Sequence, residues 1–205
     1  EWYASLATDP FGNVYLAGWT NSTSGITSGG FQNVYGGGLW DSFLVKFNSS
    51  GNRLWSTYYG GGSPDETYGL VTDASGNIYM SGDSYSSNAI ASGGFQNSLS
   101  GVEDEYVVKF DPNGNRLCAT YYGGSLEDED GTVAVDGFGN VYLAGYTPST
   151  SGIASVGGFQ NVYGGGPGDA YLVKFSSCFT ALSATASSTP IACNAPPTHT
   201  SPPAT

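Results

Sequence analysis

Short runs of alternating apolar and polar residues recur along the chain, and clusters of glycine, asparagine, aspartate and serine separate them. In the run 43–47, for example, Phe43, Val45 and Phe47 fall on one face of an extended chain. Such alternation is typical of β-strands, because successive side chains point to opposite faces of a sheet. Since no segment shows a helical pattern, the sequence predicts an all-β fold.

Four sequence motifs recur in the same order, and their copies lie 63 to 65 residues apart. Gly-Asn-(Val/Ile)-Tyr starts at Gly12, Gly76 and Gly139, Gly-Gly-Phe-Gln-Asn at Gly29, Gly93 and Gly157, Val-Lys-Phe at Val45, Val108 and Val173, and Gly-Asn-Arg-Leu at Gly51 and Gly114. A fixed period of this length indicates a repeat architecture, in which neighbouring units bury each other's apolar faces. We therefore predict three repeats, over residues 1–64, 65–127 and 128–175.

Each repeat predicts four antiparallel strands. A short first strand such as Leu70–Thr72 leads through a tight turn into a second strand, and a long Gly/Ser-rich connection precedes the third, such as Phe43–Phe47. A second tight turn then leads to a fourth strand such as Arg53–Tyr59. Four antiparallel strands per unit are typical of a β-propeller blade, whereas the coils of a solenoid, the alternative architecture, are usually shorter. Three blades do not close a ring, so either upstream blades or other chains complete it, or the repeats form no ring.

The last repeat ends at its third strand and is followed by a Ser/Thr/Pro-rich tail, residues 176–205. Residues 179–186 could supply the missing fourth strand, either in this chain or at the edge of a neighbouring one. The end of the tail has the composition of an extended, O-glycosylated stalk, with Thr198, Thr200 and Ser201 as candidate acceptors.

Several strings in the repeats carry a family resemblance: Thr-Tyr-Tyr-Gly-Gly, Val-Asp-Gly-Phe-Gly-Asn-Val-Tyr-Leu-Ala-Gly, Gly-Gly-Phe-Gln-Asn and Asp-Ala-Tyr-Leu-Val-Lys-Phe. Over residues 1–175 the chain resembles the SBBP repeat. The resemblance implies a seven-bladed β-propeller in a secreted or cell-surface bacterial protein. The segment 179–194 resembles the opening of an adhesin-type repeat, which follows propellers in surface proteins of gliding Bacteroidota.

The chain is strongly acidic, with seventeen Asp and Glu residues against five Lys and Arg and a formal net charge of −12. This charge repels phosphate backbones and anionic lipid, so we expect no nucleic acid partner. Since no apolar run reaches the roughly 20 residues that span a bilayer, we expect no membrane insertion. Cations or neutral glycans fit the charge better.

The carboxylates concentrate beside the long connections. Seven of them are candidate calcium ligands: Asp41, Asp65, Glu66, Asp104, Asp128, Glu129 and Asp169. Calcium takes six to eight oxygen ligands, although no EF-hand spacing is present. The alternative is that each aspartate caps a turn or pairs with a repeated lysine or arginine.

The acids do not indicate an enzyme, because they recur from repeat to repeat, whereas the carboxylate pair of a glycosidase should be unique to one place. The one histidine, His199, lies in the tail, so the repeats hold no Ser-His-Asp triad. We therefore expect no catalytic residues and no enzyme activity.

Three aromatic residues break the repeat pattern. Trp19, Trp40 and Tyr85 sit in or beside the long connections, which lie at the edge of a blade opposite its tight turns. Exposed aromatic rings stack on sugars, so these residues are candidate glycan contacts. The alternative is a packing role, with Trp40 filling a gap at the blade edge.

Covalent modification is the last candidate chemistry. Asn21 and Asn48 match the N-glycosylation sequon. The chain has three cysteines and no Cys-x-x-Cys pair, which argues against a zinc site. Either all three thiols are unpaired, or Cys178 and Cys193 form a local disulfide.

These observations predict a non-catalytic extracellular module for structure or adhesion, secreted or on the cell surface. It would be a subunit of a surface fibre or polymer that self-associates or joins neighbouring domains. A glycan-binding or calcium-stabilised recognition propeller is the alternative, and a glycoside hydrolase or lyase ranks third.

Overall fold

A computed structural model describes residues 4–155, 158–176, 178–179 and 181–187 of the chain. In these residues it has twelve β-strands, and it has no helix long and apolar enough to cross a membrane. The strands are β1 Ala4–Thr8, β2 Val14–Thr20, β3 Asp41–Phe47, β4 Arg53–Tyr59, β5 Gly69–Thr72, β6 Ile78–Ser84, β7 Asp104–Phe110, β8 Arg116–Tyr122, β9 Glu129–Val135, β10 Val141–Thr147, β11 Asp169–Phe175 and β12 Ala181–Ser187.

The strands form three antiparallel sheets of four, and in each sheet the strands lie side by side in the order in which they follow along the chain. We call these sheets blade 1 (β1–β4), blade 2 (β5–β8) and blade 3 (β9–β12). The prediction of an all-β protein built from four-stranded blades is confirmed, and the three sheets do not close into a ring. In this meander the tight turns lie at one end of each blade and the long connections at the other, which we call the connection face.

The fourth strand of blade 3 comes from the tail. Strand β12 pairs antiparallel with β11, from Ala170 opposite Ser187 to Phe175 opposite Ala181. In this arrangement residues of the tail stand where the fourth strand of blade 3 is expected. The segment beyond Ser187, including the candidate O-glycosylation residues, lies outside the described residues.

The third strands begin two residues earlier than the alternation predicts. They start at Asp41, Asp104 and Asp169 rather than at the first aromatic residue, and Asp41 pairs with Thr20 at the end of β2. Alternation does not predict that an aspartate begins a strand, because aspartate is uncommon in β-strands. Here each carboxylate is held by the neighbouring connection, as described below.

Five of the tight turns use one design. In the first, Asp9 N donates to Asn13 O and Gly12 N donates to Asp9 O, both at 3.1 Å. The same two bonds recur in the turns that begin at Asn48, Asp73, Asp111 and Asp136. The glycine has a positive φ, +81° at Gly12, which only glycine adopts without strain. The recurring Gly-Asn pair therefore marks these turns for a physical reason.

Neighbouring blades pack through a tyrosine of the fourth strand. Tyr59 of β4 lies against Tyr106 and Phe110 of β7, with ring centroids 5.3 and 5.7 Å apart. Tyr122 of β8 makes the same contacts with two aromatic rings of β11, at 5.1 and 5.7 Å. We call these interfaces seam 1–2 and seam 2–3. Each seam has its own hydrophobic cluster, so the core is divided between the blades rather than held in one centre.

Candidate functional site

The aspartate at the start of each third strand closes the long connection of its own blade. Asp41, Asp104 and Asp169 each accept a hydrogen bond from a backbone N–H four or five residues earlier, at 2.6, 2.7 and 2.7 Å. Burial raises the pKa of Asp41 and of Asp104 to about 6. These carboxylates hold the loop geometry that forms the connection face.

Asp65 and Asp128 do the same for the connections that enter blades 2 and 3. Asp65 accepts hydrogen bonds from Gly61 N at 2.7 Å and from Ser86 Oγ at 2.8 Å. Asp128 accepts the equivalent pair at 2.6 and 3.0 Å. The turn-capping alternative thus accounts for five of the seven predicted calcium ligands. In the part of the chain that the structure describes, no three or more His, Cys, Asp or Glu side chains are arranged to hold a metal ion.

Glu66, another predicted ligand, lies at the connection face of seam 1–2 among aromatic residues. Its carboxylate accepts a hydrogen bond from Trp40 Nε1 at 2.8 Å and another from the hydroxyl of Tyr68. Trp19 packs edge-on against Tyr68, with ring centroids 5.5 Å apart. The structure therefore brings two of the three predicted glycan contacts together, but both are half-buried in mutual packing.

The same positions of the next repeat carry acids. Asp83, Glu103 and Glu105 of blade 2 are the repeat equivalents of Trp19, Trp40 and Ser42 of blade 1, as the aligned strands and their registers show. They lie at seam 2–3. With four neighbours whose charges act on them they form what we call the acidic cluster: Glu66, Asp83, Glu103, Glu105, Glu127, Glu129 and Asp130.

The centre of the acidic cluster is buried. Asp83 and Glu105 face each other across β6 and β7, and they are 3% and 0% exposed. Asp83 Oδ1 and both carboxyl oxygens of Glu105 have no hydrogen-bond donor among the described residues. Glu127 and Asp130 at the rim are exposed. The cluster is therefore a buried carboxyl pair with an open, negatively charged approach.

Burial is the main cause of the large pKa shifts in this pair. It raises the pKa of Asp83 to about 8, with the charge of Glu103 adding to it. It raises the pKa of Glu105 well above its usual range, and there the charge of Asp83 adds to it. Glu103 follows with a pKa of about 7, and its hydrogen bond to Tyr85 moderates the rise. Two buried carboxylates this close cannot both stay charged without a compensating positive charge.

Sequence reasoning identified the edge of this cluster but missed its centre. Glu66 and Glu129 were candidate ligands, and Tyr85, the third candidate glycan contact, lies beside Glu103. Asp83 was not identified. The clue was available, since an acid replaces Trp19 of the first repeat and Tyr146 of the third at this one position. A carboxylate that breaks the repeat indicates a candidate site in the same way as an aromatic residue that breaks it.

A model of the SBBP family, described as a β-propeller repeat, matches residues 2–26, 54–88 and 119–152. The chain carries SBBP-type β-propeller repeats. No curated protein matches the sequence. The resemblance seen in the recurring strings is therefore confirmed for the repeats. The adhesin-like resemblance of segment 179–194 stays a prediction, and residues 180 and 188–194 of it lie outside the described residues.

The matched SBBP segments do not coincide with the blades. The segment 54–88 contains β4 of blade 1 and then β5 and β6 of blade 2. The segment 119–152 likewise begins in β8 and ends after β10. One SBBP unit thus spans a seam, and it includes Asp83 but not Glu105.

A cavity of about 430 Å³ opens between the connections of blade 1 and those of blade 2. Phe31, Tyr35, Asn88 and Arg116 are among the residues that line it. The Arg116 guanidinium lies 4.4 Å from the centre of the Phe31 ring and donates to two backbone carbonyls, which fixes the wall. None of the three aromatic residues predicted to contact glycans lines this cavity.

The predicted modification sites fall in different places. Asn21 is exposed, whereas the Asn48 Oδ1 atom accepts two backbone hydrogen bonds in its tight turn. Cys193 lies outside the described residues, so the Cys178–Cys193 disulfide stays a prediction. The structure places the free thiol of Cys178 2.6 Å from the free thiol of Cys118 on β8, a contact that the spacing of the cysteines along the chain does not indicate.

Proposed function

We propose that the chain is a non-catalytic extracellular interaction module, whose two end faces bind further SBBP blades and whose connection face meets a partner. The exposure of equivalent residues in the three blades supports the binding of further blades by the end faces. Leu6, Leu70 and Val133 occupy the same position in the three first strands, on the face toward the preceding blade. Leu70 and Val133 are 6% and 5% exposed, but Leu6 is 68% exposed.

The opposite end shows the same departure. Phe31 and Phe95 reach from a connection onto the next blade and are 40% and 52% exposed, whereas Phe159 of blade 3 is 83% exposed. Tyr15 and Tyr79 are fully buried on the face toward the next blade, while Tyr142 is only half-buried. Both ends therefore present the apolar surface that buried seams use. The occupant with matching chemistry is another blade of the same repeat, in a second copy of the chain or elsewhere in a longer protein.

Adhesion or fibre formation follows from this geometry as part of the proposal. A stack that exposes the same kind of surface at both ends is a head-to-tail arrangement, which gives a ring if the rotation closes and a filament if it does not. The acidic charge, with a pI of about 4.1, supports solubility and disfavours binding to anionic surfaces. We place the protein outside the cell or on its surface on the strength of the SBBP resemblance.

We expect the 1–205 chain to associate in solution in a concentration-dependent way, and Leu6→Lys to shift it toward a single chain. Leu6 is largely exposed, so the substitution should leave the fold intact while it places a charge on the end face. Light scattering after size-exclusion chromatography measures the mass. Val102→Lys is the matched control, because Val102 is 58% exposed on a connection of blade 2, which has another blade packed on each side. A wild-type chain that stays single at every concentration would contradict association between copies and leave blades of a longer protein as the occupant.

A second candidate function is glycan binding, which the cavity between the first two repeats favours. Its volume lies within the roughly 300–1,000 Å³ range of small-ligand pockets. Phe31 and Tyr35 provide aromatic surface, and Gln32 and Asn88 provide amides that could bond sugar hydroxyls.

If the cavity binds a sugar, Tyr35→Ala should weaken binding on a glycan array at least tenfold, because it removes the aromatic wall. Tyr163→Ala is the control, since Tyr163 is the repeat equivalent in blade 3 and does not line this cavity. Equal losses in both variants would argue against the site. Trp19→Ala combined with Trp40→Ala tests the contacts that the sequence predicted.

A further inference from the structure

We propose that Asp83 and Glu105 hold one calcium-type divalent cation inside seam 2–3. The proposal is independent of the end faces and of the cavity. It rests on three features of the seam: a substitution pattern that is unique to this place, an acidic cluster that no lysine or arginine of the described residues neutralises, and space that two glycines provide for the carboxyl of Glu105.

Seam 1–2 shows what the repeat does without this site. Ser42 Oγ lies 2.9 Å from the hydroxyl of Tyr106, and Thr67 Oγ1 lies 2.8 Å from the same hydroxyl. Three neutral groups satisfy one another there. At seam 2–3 the equivalents are Glu105, Tyr171 and Asp130, and the Tyr171 hydroxyl is buried without a partner among the described residues. A satisfied hydroxyl network has been replaced by carboxylates that lack donors.

The basic residues of the chain are all engaged elsewhere. Lys46, Lys109 and Lys174 lie over tyrosine rings at 5.3, 5.0 and 5.4 Å, close to the tight turns. Arg53 and Arg116 donate to backbone carbonyls of the connections. These five are the whole complement of lysine and arginine. Burying charge without a partner is costly, so the pair either keeps a proton or takes a cation from solution.

The space for the carboxyl of Glu105 is built into the seam. A Cβ atom on Gly131 would overlap this carboxyl, and the equivalent position of the previous repeat is Tyr68. A Cβ on Gly145 would stand 2.8 Å from the Tyr171 hydroxyl, 2.9 Å from Glu129 O and 3.0 Å from Glu105 Oε1. A carboxylate, a phenol and a backbone carbonyl therefore point toward one place beside a glycine.

This oxygen-rich set suits a hard cation. Calcium binds carboxylates, backbone carbonyls and water in flexible geometry, with six to eight oxygens. Asp83 and Glu105 would supply the charge, Glu129 O a neutral ligand and water the remainder, which enters through the exposed rim at Glu127 and Asp130. The seam would then be joined by an ion that contacts β6 and β7 of blade 2 and β9 of blade 3.

The test is a calcium titration of the full chain, followed by thermal melting and by calorimetry. We expect about one ion per chain and a Tm several degrees higher in about 5 mM calcium chloride than in chelator, because extracellular modules bind calcium at about 10⁻⁴–10⁻³ M. Glu105→Gln should abolish the calcium-induced shift. In chelator the same variant should melt at or above the wild-type temperature, since a neutral amide replaces one carboxyl of a buried pair.

Asp111→Asn is the matched control, because it removes the same charge from a tight turn at the far end of blade 2. It should lower the Tm but keep the calcium-induced shift. Glu105→Ser, which restores the blade 1 residue, covers the case in which glutamine fits badly. A wild-type Tm that calcium does not change, or an equal shift in Glu105→Gln and wild type, would overturn the proposal. The first of these results would assign the pair to a shared proton instead.

Discussion

Replacing Tyr59 by alanine is expected to lower the free energy of unfolding by about 4 kcal/mol. The ring is fully buried in seam 1–2 between Tyr106 and Phe110, and its hydroxyl donates to Ile90 O at 2.6 Å. Alanine would leave a cavity between the two sheets, and Ile90 O would keep only its hydrogen bond from Arg116. A loss of this size is a large fraction of the 5–15 kcal/mol that holds a typical domain together.

Equilibrium unfolding in urea, followed by tyrosine and tryptophan fluorescence, measures the loss. Tyr59→Phe separates its two parts, because it keeps the ring and should lose only about 1 kcal/mol with the hydrogen bond. Phe138→Ala should change the free energy of unfolding by no more than about 0.5 kcal/mol, since that ring is 93% exposed. If Tyr59→Ala and Phe138→Ala unfold at the same urea concentration, the seam does not hold the blades together as described.

Oxidation of Cys118 and Cys178 to a disulfide is the second large effect that we expect. The two thiols lie next to each other and are 60 residues apart in sequence. Closing a loop of this length should raise the free energy of unfolding by about 4 kcal/mol, through the restricted unfolded chain. Oxidised glutathione would take up the two electrons and two protons that the thiols release. The bond would tie β8 of blade 2 to the segment that leads into β12.

Peptide mapping by mass spectrometry without reduction identifies the pairing, and urea unfolding with and without reductant measures its effect. Cys118→Ala should remove the dependence on reductant, and Cys193→Ser should preserve it. Finding Cys178 joined to Cys193 instead would contradict this expectation and restore the pairing that the sequence suggested.

The strands and turns could be predicted from the sequence because their causes are local. Alternation fixes which residues of a strand share a face, and the glycine at a positive φ, as at Gly12, fixes each tight turn. The repeat strengthened these predictions, because a feature that recurs at three equivalent positions does not arise by chance. The start of the third strands was less well predicted. The hydrogen bonds that hold Asp41 come from a long connection, whose residues show no alternation of apolar and polar side chains.

The centre of the acidic cluster could not be predicted in this way, because it depends on contacts across a seam. Asp83 and Glu105 lie on different strands, and Gly131 belongs to the next blade. Nothing in the sequence near Glu105 indicates that its carboxyl is buried against that glycine. The pairing of Cys118 with Cys178 was missed for the same reason, since spacing along the chain favours the nearer cysteine.

The offset between the SBBP unit and the blade has a consequence for how such proteins lengthen. The segment 54–88 contributes Trp55 and Tyr59 to one side of a seam and Leu70, Ile78 and Met80 to the other. A gene duplication that copies this unit therefore copies strands from both sides of a seam rather than a free-standing sheet. Each added copy arrives with much of its own attachment already made, so the protein can grow by whole blades without a new interface having to evolve.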